Sequence, residues 1–280
     1  MRKTSRFHYR TRLRYQLASL VLSNLSLAGV LKFLSYPFLH CYACPLAVAA
    51  CPIGTLQHFI IVGEIPLFLV GFVAAVGLLM SRLPCGWLCP FGFAQDVLRR
   101  GGAALRIREI KLPGGLTQII SRLLIIVVLV LLLPSLTSNP WFCRLCPAGT
   151  LEGGIWIPFV RPGVRTLIGT FYWFKIGLLA VTVLLALSSR RPFCRFVCPM
   201  GFLLGLGGGV AALTGSRWHK REFLLEKCNA CSLCGKACPV GLDPSTSATG
   251  FPDVLVESLN CIDCDECRIC PTGAITQKGS

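Results

Sequence analysis

One four-residue turn, Cys-Pro-x-Gly, recurs at Cys51, Cys89, Cys146 and Cys198, and each copy lies at the edge of a long apolar run. A further cysteine precedes every copy. Cys85 and Cys194 stand in Cys-x-x-x-Cys-Pro spacing and Cys143 in Cys-x-x-Cys-Pro, while Cys41 and Cys44 lie upstream of Cys51. Proline stops a helix that approaches it and glycine accepts the tight turn that follows. Thiolate is a soft ligand suited to iron–sulfur clusters and zinc. The pattern reads as thiols presented at the mouths of helices, gripping redox metal at membrane surfaces.

Composition settles the solvent. The chain has 280 residues, 54% of them hydrophobic and only 14% charged, with a mean hydropathy of +0.66. That excludes an ordinary soluble domain and points to a polytopic membrane protein surrounded by lipid. The formal net charge is +16, but the basic residues flank the apolar runs, as topology signals do, so no nucleic-acid partner is expected. Disulfide scaffolds are small and lack long apolar runs, which argues against that use for the seventeen cysteines. No secretory leader is expected, because no small-residue cleavage site follows the basic stretch Arg2 to Arg14 and the first apolar run.

Apolar runs over residues 17–34, 59–80, 116–133 and 167–187 are near the ~20 residues a helix needs to cross a bilayer. Basic residues cluster at the N-terminus, from Arg82 to Lys111, and at Arg190 and Arg191; the loops after the first and third runs are poor in them. Both termini are therefore expected in the cytoplasm of a multi-pass prokaryotic inner-membrane protein. Span, outer Cys-Pro loop, span, inner Cys-x-x-x-Cys-Pro loop occurs twice, implying a pseudo-two-fold axis along the membrane normal. The expected fold is mainly α: a four-transmembrane-helix bundle of two parallel repeats over residues 1–216, then a small ferredoxin-like domain over 217–280. Residues 93–107 read as a short interfacial helix and 202–214 as interfacial or re-entrant.

The C-terminal part carries the most specific signal. Cys228, Cys231, Cys234 and Cys238-Pro239 form the bacterial run Cys-x2-Cys-x2-Cys-x3-Cys-Pro, and Cys261, Cys264, Cys267 and Cys270-Pro271 form a second with a last gap of two. In two-cluster ferredoxins the fourth cysteine of each run ligates the other cluster. One cluster is thus expected on Cys228, Cys231, Cys234 and Cys270, the other on Cys261, Cys264, Cys267 and Cys238. Cys85, Cys89, Cys194 and Cys198, two from each repeat, make a third [4Fe–4S] site on the inner side. On the outer side Cys41, Cys44, Cys51, Cys143 and Cys146 are candidates, one more than a cluster needs, and the spacing does not say which is spare.

With these motifs the chain resembles the NapH-type family of polytopic iron–sulfur proteins, related to the membrane portion of NosR-like proteins. The matching residues are Cys85-Gly-Trp-Leu-Cys89-Pro, Cys194-Arg-Phe-Val-Cys198-Pro and the C-terminal pair of cysteine runs. The resemblance implies a membrane electron-transfer protein, a candidate quinol dehydrogenase subunit feeding a periplasmic reductase, with redox partner proteins and quinone as a candidate ligand. A maturation or regulatory factor for a respiratory metalloenzyme is the alternative. Glu64, before Pro66, is either an interfacial carboxylate or a proton acceptor from quinol. Lys175 reads as a snorkelling lysine, and His40 and His58 as interfacial residues in preference to haem ligands. Arg217, Lys220, Arg221 and Lys227 would attract an acidic carrier. One difficulty stands: sites at opposite faces of a ~30 Å hydrocarbon core are far apart for tunnelling.

Overall fold

The computed structural model of the chain describes residues 2–25, 34–44, 46–110, 112–214, 221–243 and 259–277. Lys32, Lys111, Arg217, Lys220 and the expected domain boundary after residue 216 lie outside the described residues, as does the stretch 26–33 of the first expected span.

Helix α1 (Arg2–Ser23) begins inside the basic arm and ends well before residue 34, so the arm and the first apolar run are not separate elements. Its buried stripe is polar: Arg12, Gln16, Ser19 and Ser23, at i, i+4, i+7 and i+11, face the protein, while Leu17, Val21 and Leu22 are exposed. This inverts the usual soluble-helix pattern and suits a helix whose outer face meets lipid. Arg12 is held by Asp96 at 2.8 Å and Glu266 at 3.5 Å, a packing role that the topology reading of the arm did not include.

The second expected span is two helices, α2 (Pro52–Val62) and α3 (Leu67–Met80). Gly63 closes α2 in the left-handed conformation (φ 82°) and Pro66 precedes α3, the two residues that stop and restart helices most readily. Glu64 is exposed in this corner. After the short α4 (Leu83–Trp87), α5 (Pro90–Ala104) replaces the interfacial helix expected at 93–107. The third and fourth spans are continuous: α6 (Leu116–Thr137) and α7 (Thr170–Ser188) are long and apolar enough to cross a membrane. The middle of α6, Ile126–Leu132, widens to π-helical register just before Pro134, which absorbs the hydrogen bond that a proline inside a helix removes. Next come α8 (Pro192–Phe196) and α9 (Pro199–Leu213).

The pairing of helices crosses the two halves: α3 packs along α9, and α5 along α7. Small residues allow this. A methyl group at Gly208 would lie 2.0 Å from Ser81 Oγ, and one at Gly102 2.0 Å from the Leu187 carbonyl. Close backbone approach of this kind is what holds helices together where lipid removes the hydrophobic drive. In the C-terminal part, β1 (Arg221–Phe223) pairs antiparallel with β2 (Ile275–Gln277), and α10 (Leu233–Ala237) precedes Cys238. The chain is mainly helical.

Neighbouring glycines should respond oppositely. Gly101→Ala, with nothing within 4 Å of the added methyl, should stabilise by about 0.5–1 kcal/mol through helix propensity. Gly102→Ala should destabilise by about 1–3 kcal/mol through overpacking. Thermal unfolding of the two variants in detergent, under anaerobic conditions, reads the sign of each.

Candidate metal centres

All four Cys-Pro-x-Gly copies fold alike. Cys51, Cys89, Cys146 and Cys198 are extended N-cap residues with φ of −73°, −67°, −66° and −66° and ψ of 125°, 114°, 119° and 110°. Proline takes the first helical position, where its missing N–H leaves no bond unmade. The glycine N–H then reaches back to sulfur: Gly92 donates to Cys89 Sγ at 3.3 Å and Gly201 to Cys198 Sγ at 3.4 Å. Gly54 and Gly149 offer the same donor to Cys51 and Cys146. Each thiol therefore sits on a helix N-terminus, where backbone dipoles favour negative charge.

Cys85, Cys89, Cys194 and Cys198 are all buried and close enough for each to act electrostatically on the others. Burial first, and then neighbouring sulfur, pushes the Cys89 thiol well above its ordinary value. Around this inner quartet the two halves exchange arms. Arg191 donates to the Cys85 carbonyl at 2.9 Å, and Arg82 to the Cys194 carbonyl at 3.3 Å. Each lies three residues before the first cysteine of its own half and packs on the Cys-Pro-x-Gly glycine of the other. Arg191 also holds Asp96 through two bonds of 2.7 and 2.6 Å; burial opposes its charge, and Asp96 more than compensates. Gln95 donates to Cys194 Sγ at 3.2 Å and accepts from the Phe193 N–H at 3.2 Å.

A second gathering joins Cys41, Cys51, Cys143 and Cys146, which act on one another in the same way. A methyl at Gly54 would lie 3.4 Å from Cys143 Sγ and one at Gly149 3.4 Å from Cys41 Sγ, so each turn again faces the opposite half. Burial, with Glu152 and Cys51 adding, pushes the Cys41 thiol up to about 11. The remaining candidate, Cys44, is buried, and its thiol meets Asn24 Oδ1 at 3.6 Å.

The sixth residue after each Cys-Pro cysteine is Gln57, Gln95, Glu152 or Leu204. The first three reach across the axis to a backbone N–H beside the opposite half's cysteines: Gln57 accepts from Cys143 at 3.1 Å, Gln95 from Phe193, and Glu152 from Cys41 at 2.6 Å. Sequence reasoning missed this, though aligning Cys-Pro-Ile-Gly-Thr-Leu-Gln with Cys-Pro-Ala-Gly-Thr-Leu-Glu exposes it and pairs Cys51 with Cys146. It also missed that Arg82 and Arg191, read as topology signals, are buried.

Other candidates find ordinary partners. His40 lies 3.1 Å from Glu152 and His58 2.7 Å from the Tyr42 hydroxyl, while the Lys175 charge acts on Cys143. In the C-terminal part, Cys238 is influenced by Cys264 and Cys261, and Cys234 by Cys270. Cys267 is buried beside Cys234 and Ile275; Cys228 and Cys231 are half-buried. Burial is the largest single influence on the Cys270 thiol and raises it, but hydrogen bonds from the Thr272 side chain and from the backbone of Thr272, Gly273 and Ala274 together bring it below its ordinary value. Lys227 stands exposed, and the side chain of Arg221 lies outside the described residues.

The donor sets fit iron–sulfur clusters. They are soft thiolates in fours, with N–H groups aimed at sulfur.

A protein-family profile described as "4Fe-4S binding domain" matches residues 62–111, 122–160 and 170–222. The chain is 27% identical to the regulatory protein NosR of Stutzerimonas stutzeri over 200 residues, 71% of this chain and 24% of NosR. It is 27% identical to the putative electron transport protein YccM of Escherichia coli over 235 residues, 78% of this chain and 58% of YccM. It is 26% identical to the ferredoxin-type protein NapH of Escherichia coli over 195 residues, 67% of this chain and 58% of NapH. The chain thus spans about a quarter of NosR and little more than half of YccM and NapH. No solved structure matches. The profile match covers half of the chain and takes in the inner cysteines of both repeats, and on that ground the chain belongs to the 4Fe-4S binding-domain family, of the NapH/NosR type.

Proposed function

We propose that the chain is a membrane electron-transfer protein with four [4Fe–4S] sites, in the order C-terminal pair, inner quartet, outer quartet, linking a cytoplasmic-side donor to a membrane or periplasmic redox partner. Two of these sites belong to a C-terminal ferredoxin domain held on a bundle that α6 and α7 anchor in lipid. A bound cluster supplies a one-electron store at each site; the protein supplies spacing, insulation and charge.

The observation that carries the reading is how residues 259–264 seat against the inner quartet. Ile262, flanked by Cys261 and Cys264, is fully buried, and a methyl at Gly86 would lie 2.3 Å from its carbonyl. Gly86 is bonded in sequence to Cys85. Trp87 Nε1 donates to the Asp263 carbonyl at 2.9 Å, and Arg190 to the Cys238 carbonyl at 3.0 Å. The second C-terminal site and the inner quartet are thus separated by one backbone contact. Electron-transfer proteins need such proximity; a regulatory thiol does not.

Helix α1 also links the surroundings of the inner and outer quartets over a short stretch. On α1, Gln16 donates to the Gly86 carbonyl beside Cys85, and the Ser23 carbonyl accepts from Val48 in the outer loop. Seven residues of helix rise are about 10 Å. Both quartets are sunk into the protein from their own faces, and the same buried core includes Cys51, Cys85, Cys89, Cys146, Cys198 and Cys264.

A regulatory or maturation role is the second reading, favoured by NosR's name alone. Sustained turnover separates the two: a carrier passes many electrons per chain to an artificial acceptor, a maturation factor does not.

Anaerobically purified protein should hold about sixteen iron atoms per chain, four for each of four cubanes. A Cys89→Ala/Cys198→Ala double variant should lose about four and keep the C-terminal signals. Cys44→Ser should leave the count unchanged, and Cys41→Ser should lower it; equal loss from both would contradict the outer assignment. Gly86→Val should retain the iron but slow reduction of the membrane sites by electrons entering at the C-terminal domain, measured by stopped-flow absorbance. Unchanged kinetics would reject the Gly86–Ile262 route.

A further inference from the structure

Arg82 and Arg122 are buried to 1% and 0% exposure, and among the described residues neither makes an ion pair with a carboxylate, in contrast to Arg12 and Arg191 on Asp96. Their partners are neutral oxygens. Arg82 donates to the carbonyls of Leu259 at 2.9 Å, Asn260 at 3.0 Å and Cys194 at 3.3 Å. Arg122 donates to the carbonyls of Gln118 at 3.1 Å and Leu259 at 3.4 Å, and to Asn260 Oδ1. Its guanidinium also stands 5.6 Å from the ring centre of Phe202. Two like charges sharing one acceptor in a dry interior are costly unless an opposite charge faces them.

The opposite charge available is the inner quartet. Arg82 acts electrostatically on Cys194 and Cys198, and Arg122 on Cys198, Cys194 and Cys85. Charge counting agrees. A [4Fe–4S] core of 2+ with four thiolates carries a net 2−, and one added electron makes it 3−. Arg191 also acts on Cys194, ahead of Arg82, but it is bonded to Asp96, and Arg12 to Asp96 and Glu266, so that pair carries its own carboxylate counter-charge, which Arg82 and Arg122 lack among the described residues.

We propose that Arg82 and Arg122 are the counter-charge of the inner-quartet cluster, favour its reduced form, and so make it the acceptor for electrons arriving from the C-terminal pair. The proposal rests on the four-site reading above. It deepens that reading by assigning a redox-tuning role to two residues that touch no substrate. Because both cations also grip the segment that leads into Cys261, the docking of the C-terminal domain and the potential of the inner site are set by the same two side chains.

The test is an anaerobic redox titration followed by electron paramagnetic resonance, with the inner-quartet signal identified as the one missing from the Cys89→Ala/Cys198→Ala variant. Arg122→Gln removes the charge. Asn260→Asp keeps both arginines and the shape of the contact but adds a carboxylate against Arg122. Each should shift the reduced-to-oxidised ratio of that signal about tenfold toward oxidised at a fixed ambient potential, about 59 mV for one electron. Arg122→Lys, which retains the charge, should stay near the parent, and the other signals should not move. An unchanged ratio in Asn260→Asp, or an equal shift in the Lys and Gln variants, would overturn the proposal in favour of a packing role. Absence of any signal lost in the Cys89→Ala/Cys198→Ala variant would instead overturn the four-site reading itself.

Discussion

Everything in the membrane part follows from placing eight sulfur donors, four at each end, in a low-dielectric interior. A buried thiolate is as costly as any other buried anion, and the chain meets that cost at several levels. Each Cys-Pro-x-Gly turn seats its sulfur on a helix N-terminus with a glycine N–H aimed at it. Around the inner quartet, Arg82 and Arg191 cross between halves and donate to the backbone of the opposite cysteines. These contacts tie the two halves together at the cysteines: each half supplies glycine N–H groups to its own sulfurs and an arginine to the other half's backbone.

The same requirement shapes the helices. A glycine-lined contact lets α9 lie directly on α3, and Gly102 lets α5 approach the end of α7. α1 turns Arg12, Gln16, Ser19 and Ser23 inward and leaves leucine and valine outside. Polar side chains are gathered where sulfur and backbone need partners, and apolar ones face outward. Cysteines of both quartets share one buried cluster.

Motif spacing carried most of what could be read in advance. The gathering of Cys85, Cys89, Cys194 and Cys198 was legible from repeated short patterns, since local turns set where sulfur points. α6 and α7 were legible because a long apolar helix has few alternatives in lipid. The bend at Gly63–Pro66 was missed because hydropathy averages over a break made of residues that are themselves tolerated in membranes. The burial of Arg82, Arg191 and Arg12 was not legible because charge at the end of an apolar run signals topology in most proteins, and only tertiary contact shows that such a cation is also buried. How the outer cysteines gather could not be read from spacing, because the Cys41 N–H is held by Glu152, 111 positions away in the chain.

The central claim is that sulfur from both halves shares one inorganic centre near the pseudo-two-fold axis. Iron-edge anomalous scattering from crystals grown without oxygen tests it most directly. The account predicts one compact iron peak within bonding distance of Cys85, Cys89, Cys194 and Cys198 together. Iron bound to the C-terminal cysteines alone, with Cys89 and Cys198 carrying no shared density, would contradict it.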